Sequence, residues 1–136
     1  MKIIGFNLTK ILVEKKETQE GKIQISQNID IKDLIKDKIL ISNEEILNLK
    51  FHFVIDYSNN LGNIEFDGFL VILPEKNELK EFLKSWKDRK IPDELRVPLF
   101  NFIMSKCNIK ALTLEDEIGL PFHIPMPRVN PQEEKQ

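Results

Sequence analysis

Between residues 46 and 73 two runs of alternating apolar and polar side chains flank a single turn segment, and this constrains the fold more than any other part of the chain. In 46–57 the odd positions are Leu47, Leu49, Phe51, Phe53, Ile55 and Tyr57, while Asn48, Lys50, His52, Val54 and Asp56 fall between them. A period of two over that length is the signature of a strand with one buried face. The segment Ser58-Asn59-Asn60-Leu61-Gly62-Asn63 is turn-like, and Ile64, Phe66, Gly68, Leu70 and Ile72 then repeat the alternation. A four-residue loop over 59–62 sets Tyr57 opposite Ile64, Ile55 opposite Phe66, Phe53 opposite Gly68 and Phe51 opposite Leu70. Both apolar sets then share one side, as a hairpin with one buried face requires.

The segments around this hairpin are read from the same periodicities. Ile4, Phe6 and Leu8 share one parity and Ile11 and Val13 the other, so a strand there needs a bulge near Thr9-Lys10. Residues 14–21 are polar and turn-like. Residues 22–32 alternate, with Ile23, Ile25, Ile29 and Ile31 on one side, and predict a further strand; 33–41 read as an irregular link. Ser42 to Glu45 has the letters of a capping box, but the alternation that follows argues against a helix. Pro74 ends the hairpin's second strand, having no N–H for the ladder. Residues 75–89 change period: Leu79, Phe82, Leu83 and Trp86 form one helical stripe. A second helix is expected from about 94 or 98 to 107, with Pro98 near its regular start. Its Leu99, Phe100, Phe102, Ile103 and Met104 cover more than one stripe, which implies burial on several sides. Thr113 to Asp116 fits a capping box and Gly119 a helix stop, allowing a turn or two between them. Prolines at 121, 125, 127 and 131 hold 120–131 extended. Residues 131–136 are charged and polar and are expected to be mobile. The sum is an α+β chain: a four-stranded antiparallel sheet with helices packed on one face, in a single domain over 1–136.

Composition removes several classes of function. Apolar residues are 41% and charged residues 31% of 136, with a formal net charge of -2. There is no basic field to draw the chain to nucleic acid. No apolar run approaches the roughly 18 residues of a membrane span, so no membrane insertion is expected. Cys107 stands alone, which excludes an internal disulfide and a multi-cysteine zinc site and suits a reducing compartment. Without a signal-peptide pattern at the start, the expected location is cytoplasmic.

Chemistry is sparse. Asp56 and Glu65 are expected to face each other across the hairpin's polar side, and paired carboxylates can act as acid and base. The turn end of a hairpin is wet, however, and offers no apolar pocket to split their pKa values. His52 and His123 lie in separate segments without metal-ligand spacing. Cys107, near a helix end, reads as an activated thiol or as a small apolar filler. No phosphate loop or nucleophile elbow is present. No catalytic residue, cofactor or metal is assigned. The apolar residues say more. Phe69, Val71 and Leu73 alternate outward on the hairpin's polar side, expected opposite His52, Lys50 and Asn48. With Phe122, Ile124, Met126 and Val129 of the proline-bearing stretch, they exceed what one sheet face and two helices hide. Such an excess marks a subunit interface or an apolar groove; the alternative is that the stretch packs across the sheet as core.

The order of elements resembles the SecB-type protein-export chaperones, with four antiparallel strands, a crossover, and a helix opened by an apolar-Pro-apolar step. Leu95-Arg96-Val97-Pro98-Leu99-Phe100 resembles that helix start. Leu120-Pro121, Ile124-Pro125 and Pro127-Arg128-Val129-Asn130-Pro131 resemble the family's proline-bearing extended stretch. The resemblance spans roughly residues 3–131 in pattern and is specific in these two pieces. The chain departs from the family in the unusual charge of the helix at 75–88, and in ending where the family's last helix begins. The resemblance implies a homo-oligomer, a dimer or dimer of dimers, that binds unfolded polypeptide clients without ATP. Phe122, Ile124, Met126, Val129, Phe69 and Val71 are the candidate polypeptide-binding residues. Two other readings stay open: a structural or adaptor subunit of a larger complex, and a hydrolase using Asp56, Glu65 and His52.

Overall fold

A computed structural model describes residues 1–16 and 21–131. Four strands, β1 (Lys2–Lys15), β2 (Ile25–Lys38), β3 (Glu45–Tyr57) and β4 (Gly62–Leu73), are followed by helices α1 (Lys76–Trp86) and α2 (Asp93–Ile118). The strands form one antiparallel sheet in the order β1-β4-β3-β2, so the first two strands in sequence occupy opposite edges. Part of the predicted turn at 14–21, and residues 132–136 of the expected mobile tail, lie outside the described residues. Lys15, placed in that turn, is the last residue of β1.

The face assignment of the central hairpin holds, but its register is two residues away from the expected one. Tyr57 pairs with Gly62, Ile55 with Ile64, Phe53 with Phe66, Phe51 with Gly68 and Leu49 with Leu70. A 3-10 turn over Ser58–Asn60, with Asn59 and Asn60 in the left-handed region, starts the reversal one residue earlier. Leu61 closes it and is itself buried. A shift of two keeps every side chain on its face, and this is why the core survives the error. Leu47, Leu49, Phe51, Phe53, Ile55, Ile64, Phe66, Leu70 and Ile72 are all buried. Phe53 and Phe66 stack with centroids 5.7 Å apart. Gly68 makes room for the Phe51 ring: a Cβ there would lie 2.8 Å from Cζ of Phe51 and 2.4 Å from the Asn7 carbonyl.

The edge strands carry bulges that rotate their faces. In β1 the register shifts between Leu8 and Lys10, as the parity change predicts, and also between Ile3 and Gly5. In β2 it shifts between Ile31 and Asp33. That bulge explains why the strand does not end at 32 as expected. It restores the apolar face one residue out of phase, turning Leu34 into the core opposite Leu49, and β2 runs on to Lys38. The letters Ser42 to Glu45 form no helix; Asn43 takes a positive φ in a turn and β3 begins at Glu45.

Both helices contribute to the core formed on the sheet's Phe53 face. A capping box opens α1, with the Glu75 N–H donating to Glu78 Oε1 at 2.9 Å, and Leu79 and Phe82 are its buried residues. α2 is longer than expected. It begins at Asp93 with Pro98 inside, and runs without a break to Ile118, where Gly119 in the left-handed conformation stops it. The Thr113 hydroxyl donates back to the Ile109 carbonyl at 3.2 Å instead of capping a new helix. The expected burial of 99–104 on several sides is also corrected. Leu95, Leu99, Ile103, Cys107, Ala111 and Glu115 are the buried residues, each four after the last. Every step of four drifts about 40° on a 3.6-residue helix, so one buried line winds about 200° around α2. Phe102 is half-buried against the Phe6 ring, 6.1 Å between centroids, and Met104 is 38% exposed.

Candidate functional site

The C-terminal end of α2 carries a polar cluster that sequence reading missed. Glu115 continues the buried line of the helix, yet it is charged and fully buried. Tyr57, at the end of β3, points its hydroxyl at Glu115 Oε2 and at the Pro121 carbonyl, 3.0 Å away. The His123 backbone N–H donates to Oε2 at 3.2 Å. Its Nδ1 lies 2.8 Å from Oε1 and 3.0 Å from Oε2, and its Nε2 lies 2.9 Å from Asn108 Oδ1. Each ring nitrogen therefore has an oxygen partner, and both side chains are almost wholly buried. Burial first, and then the Glu115 carboxylate, push the Tyr57 phenol well above its ordinary value. Every buried side-chain nitrogen and oxygen among the described residues has a hydrogen-bond partner. The sequence did hold a signal: a glutamate at the sixth place of a series with spacing four, and a histidine among prolines.

The cluster fixes where the proline-bearing stretch leaves the helix. Leu120 is buried against the hairpin turn, its Cδ2 3.2 Å from where a Gly62 Cβ would stand. Its N–H and that of Gly119 donate to the Glu115 carbonyl at 3.0 and 2.9 Å. From that root the chain runs without helix or strand through Asn130. Phe122, Met126 and Val129 are 41%, 49% and 70% exposed, and Ile124 is half-buried. The stretch thus presents outward-facing apolar side chains on an anchored, extended segment.

The remaining candidates lie elsewhere. Phe69 and Val71 are half-buried on the opposite face of the sheet from Tyr57 and the root of the stretch. The six predicted binding residues therefore do not meet in one groove within a chain. Val71 packs over Gly5, and Phe69 borders an open depression of about 540 Å³ with Thr9, Lys32, Lys50 and Asp67. Phe69 pairs with Lys50 and Val71 with Asn48, not with His52 and Lys50 as expected. The expected Asp56–Glu65 pair is also absent, because the register shift sets Asp56 opposite Asn63 and Glu65 opposite Val54. His52 instead bonds Asp67, Nδ1 to Oδ1 2.5 Å, with Glu65 Oε1 3.8 Å from its Nε2.

Cys107 sits in the buried line of α2, and burial pushes its thiol up to about 12. The apolar-filler reading fits this position; an activated thiol needs the opposite shift. The folded thiol keeps its proton where an unfolded one, near 9, releases it. Its contribution to stability is therefore complete below pH 9 and is lost as pH rises toward 12, by up to about 1.4 kcal/mol per pH unit. Tyr57, with an ordinary value of 10.0, adds a second loss that starts above pH 10. Urea unfolding between pH 9 and 10 is expected to show the decline in the wild type and a flatter profile in Cys107→Ala. Parallel profiles would assign the alkaline loss to other groups.

Among the described residues no helix is long and apolar enough to cross a membrane. Comparison with family models, with curated proteins and with solved structures returned no match.

Proposed function

We propose that this chain is an ATP-independent holding module of the cytoplasm, working as a homo-oligomer, which binds unfolded or non-native polypeptides along the apolar side chains that the stretch 120–131 exposes. One observation carries the reading: Phe122, Met126 and Val129 are exposed on a segment whose root is locked by the Glu115–His123–Tyr57 cluster. A strip already extended by its prolines loses little further freedom on binding. Methionine is unbranched and polarizable, and adapts to apolar partners of differing shape. Such a surface accepts many sequences and needs no nucleotide. The reading draws further support from the order of elements, an antiparallel sheet followed by two helices.

The reading is tested by aggregation of a permanently unfolded polypeptide, with wild type or Phe122→Ser/Met126→Ser added. Wild type is expected to suppress light scattering, and the double variant to need about tenfold more protein for the same effect, since two buried apolar contacts are lost. Equal suppression by both, or none by wild type, removes the strip from the mechanism.

A further inference from the structure

The two edges of the sheet are built differently. On β1 the register shifts twice, and its longest regular run, residues 10–15, carries Lys10, Glu14 and Lys15. Bulges and charges of that kind keep another strand from adding to an edge. On β2 the pairing with β3 is regular from Ile25 to Ile31. The run reads Ile25-Ser26-Gln27-Asn28-Ile29-Asp30-Ile31, with no proline and one charge. The Ser58 N–H donates to the Gln24 carbonyl at 2.8 Å, so the backbone polar groups of Gln24 face β3. By the alternation of an antiparallel ladder, those of Ile25, Gln27, Ile29 and Ile31 point out of the sheet. Above this edge, Gln27, Asn28, Ile29, Phe100 and Met104 line an open groove of about 400 Å³.

We infer that this edge joins a second copy of the chain, β2 against β2 in antiparallel, with the two-fold axis at Asn28. A two-fold interface must be self-complementary, and this register is. Ile25 faces Ile31 and Gln27 faces Ile29 on the helix side, and these outward-pointing residues exchange hydrogen bonds in pairs. On the open side Ser26 faces Asp30, and Asn28 meets its own copy. An axis at Asp30 instead opposes two aspartates, which is unfavourable. An axis at Ile29 pairs Ile25 with Asp33, beyond the β2 bulge, and shortens the ladder. The groove runs beside the axis, so Met104 of each copy closes over it. The assembly is independent of the polypeptide-binding reading and stands if that reading fails.

The test measures the mass of the full chain by sedimentation over a concentration series, for wild type and Gln27→Pro. Proline removes an N–H that points out of the sheet, not toward β3. Wild type is expected to dimerise and Gln27→Pro to dissociate about tenfold more readily. A second variant does not depend on tolerance of proline. Asn28→Cys puts two thiols at a close, non-hydrogen-bonded pair across the axis. Under mild oxidation it is expected to give a disulfide-linked dimer, while Asn7→Cys on the opposite edge strand stays unlinked and buried Cys107 stays silent. A wild type that is monomeric at about 100 μM overturns the proposal, as does equal linking of both cysteine variants. So does a Gln27→Pro that dimerises as tightly as the wild type, which would place the interface elsewhere.

Discussion

Glu115→Ala is expected to lower the unfolding free energy by about 3–5 kcal/mol, among the largest losses from any single change in this chain. The carboxylate accepts from the Tyr57 hydroxyl, the His123 backbone N–H and the His123 ring, in a site closed to water. Removing it leaves the buried His123 backbone N–H and ring Nδ1 without an acceptor and the Tyr57 phenol with only the Pro121 carbonyl, and each polar group left unpaired costs far more than its hydrogen bond contributed. The contrast is the triple variant Tyr57→Phe/Glu115→Leu/His123→Leu. It removes all three polar side chains together and is expected to recover most of the loss. Urea unfolding of both variants checks the energies. Amide exchange at Leu120 and His123 checks the consequence, since in Glu115→Ala these protons should exchange faster than those of Leu99 and Ile103. A loss under about 1 kcal/mol with unchanged exchange would mean that the cluster does not hold the root.

Phe53→Ala is expected to cost about 3–5 kcal/mol, by lost burial and by the cavity left between β3, β4 and the helices. Phe53 is fully buried and stacked on Phe66 across the strand pair. The neighbouring positions supply the control. Val54 is half-buried on the other face, and Val54→Ala should cost well under half as much. Chemical denaturation of the two variants decides it, and similar losses would mean that the two faces of β3 are equally buried.

Much of the sheet was legible from local pattern, because side-chain parity in a strand depends only on neighbours in sequence. The faces of β3 and β4, the β1 bulge near Thr9-Lys10 and the stop at Pro74 all follow from that rule. The register of the central hairpin did not follow. A slip of two leaves parity unchanged, so the pattern is blind to it, and the positive φ of Asn59 and Asn60 decided it. The β2 bulge escaped for the opposite reason. It breaks parity, and a broken parity looks like the end of a strand. The length of α2 escaped because its buried residues fall every four positions; a line that winds around the helix shows no single stripe. The candidate strip at 120–131 was legible from its prolines. Its anchor was not, since Tyr57, Asn108, Glu115 and His123 come from three separate parts of the chain.

By itself the sequence determined the class of the fold, the buried face of the central hairpin and the extended state of the last stretch. Each is set by alternation, helical period or the fixed φ of proline, and each acts over a few residues. Only the tertiary structure decided which strands are edges, where Phe69 and Val71 stand relative to Phe122 and Met126, and that a buried glutamate holds the root of the strip. Those depend on which distant segments share one desolvated space, and a charge such as Glu115 is stable there only when Tyr57 and His123 reach it from elsewhere in the chain.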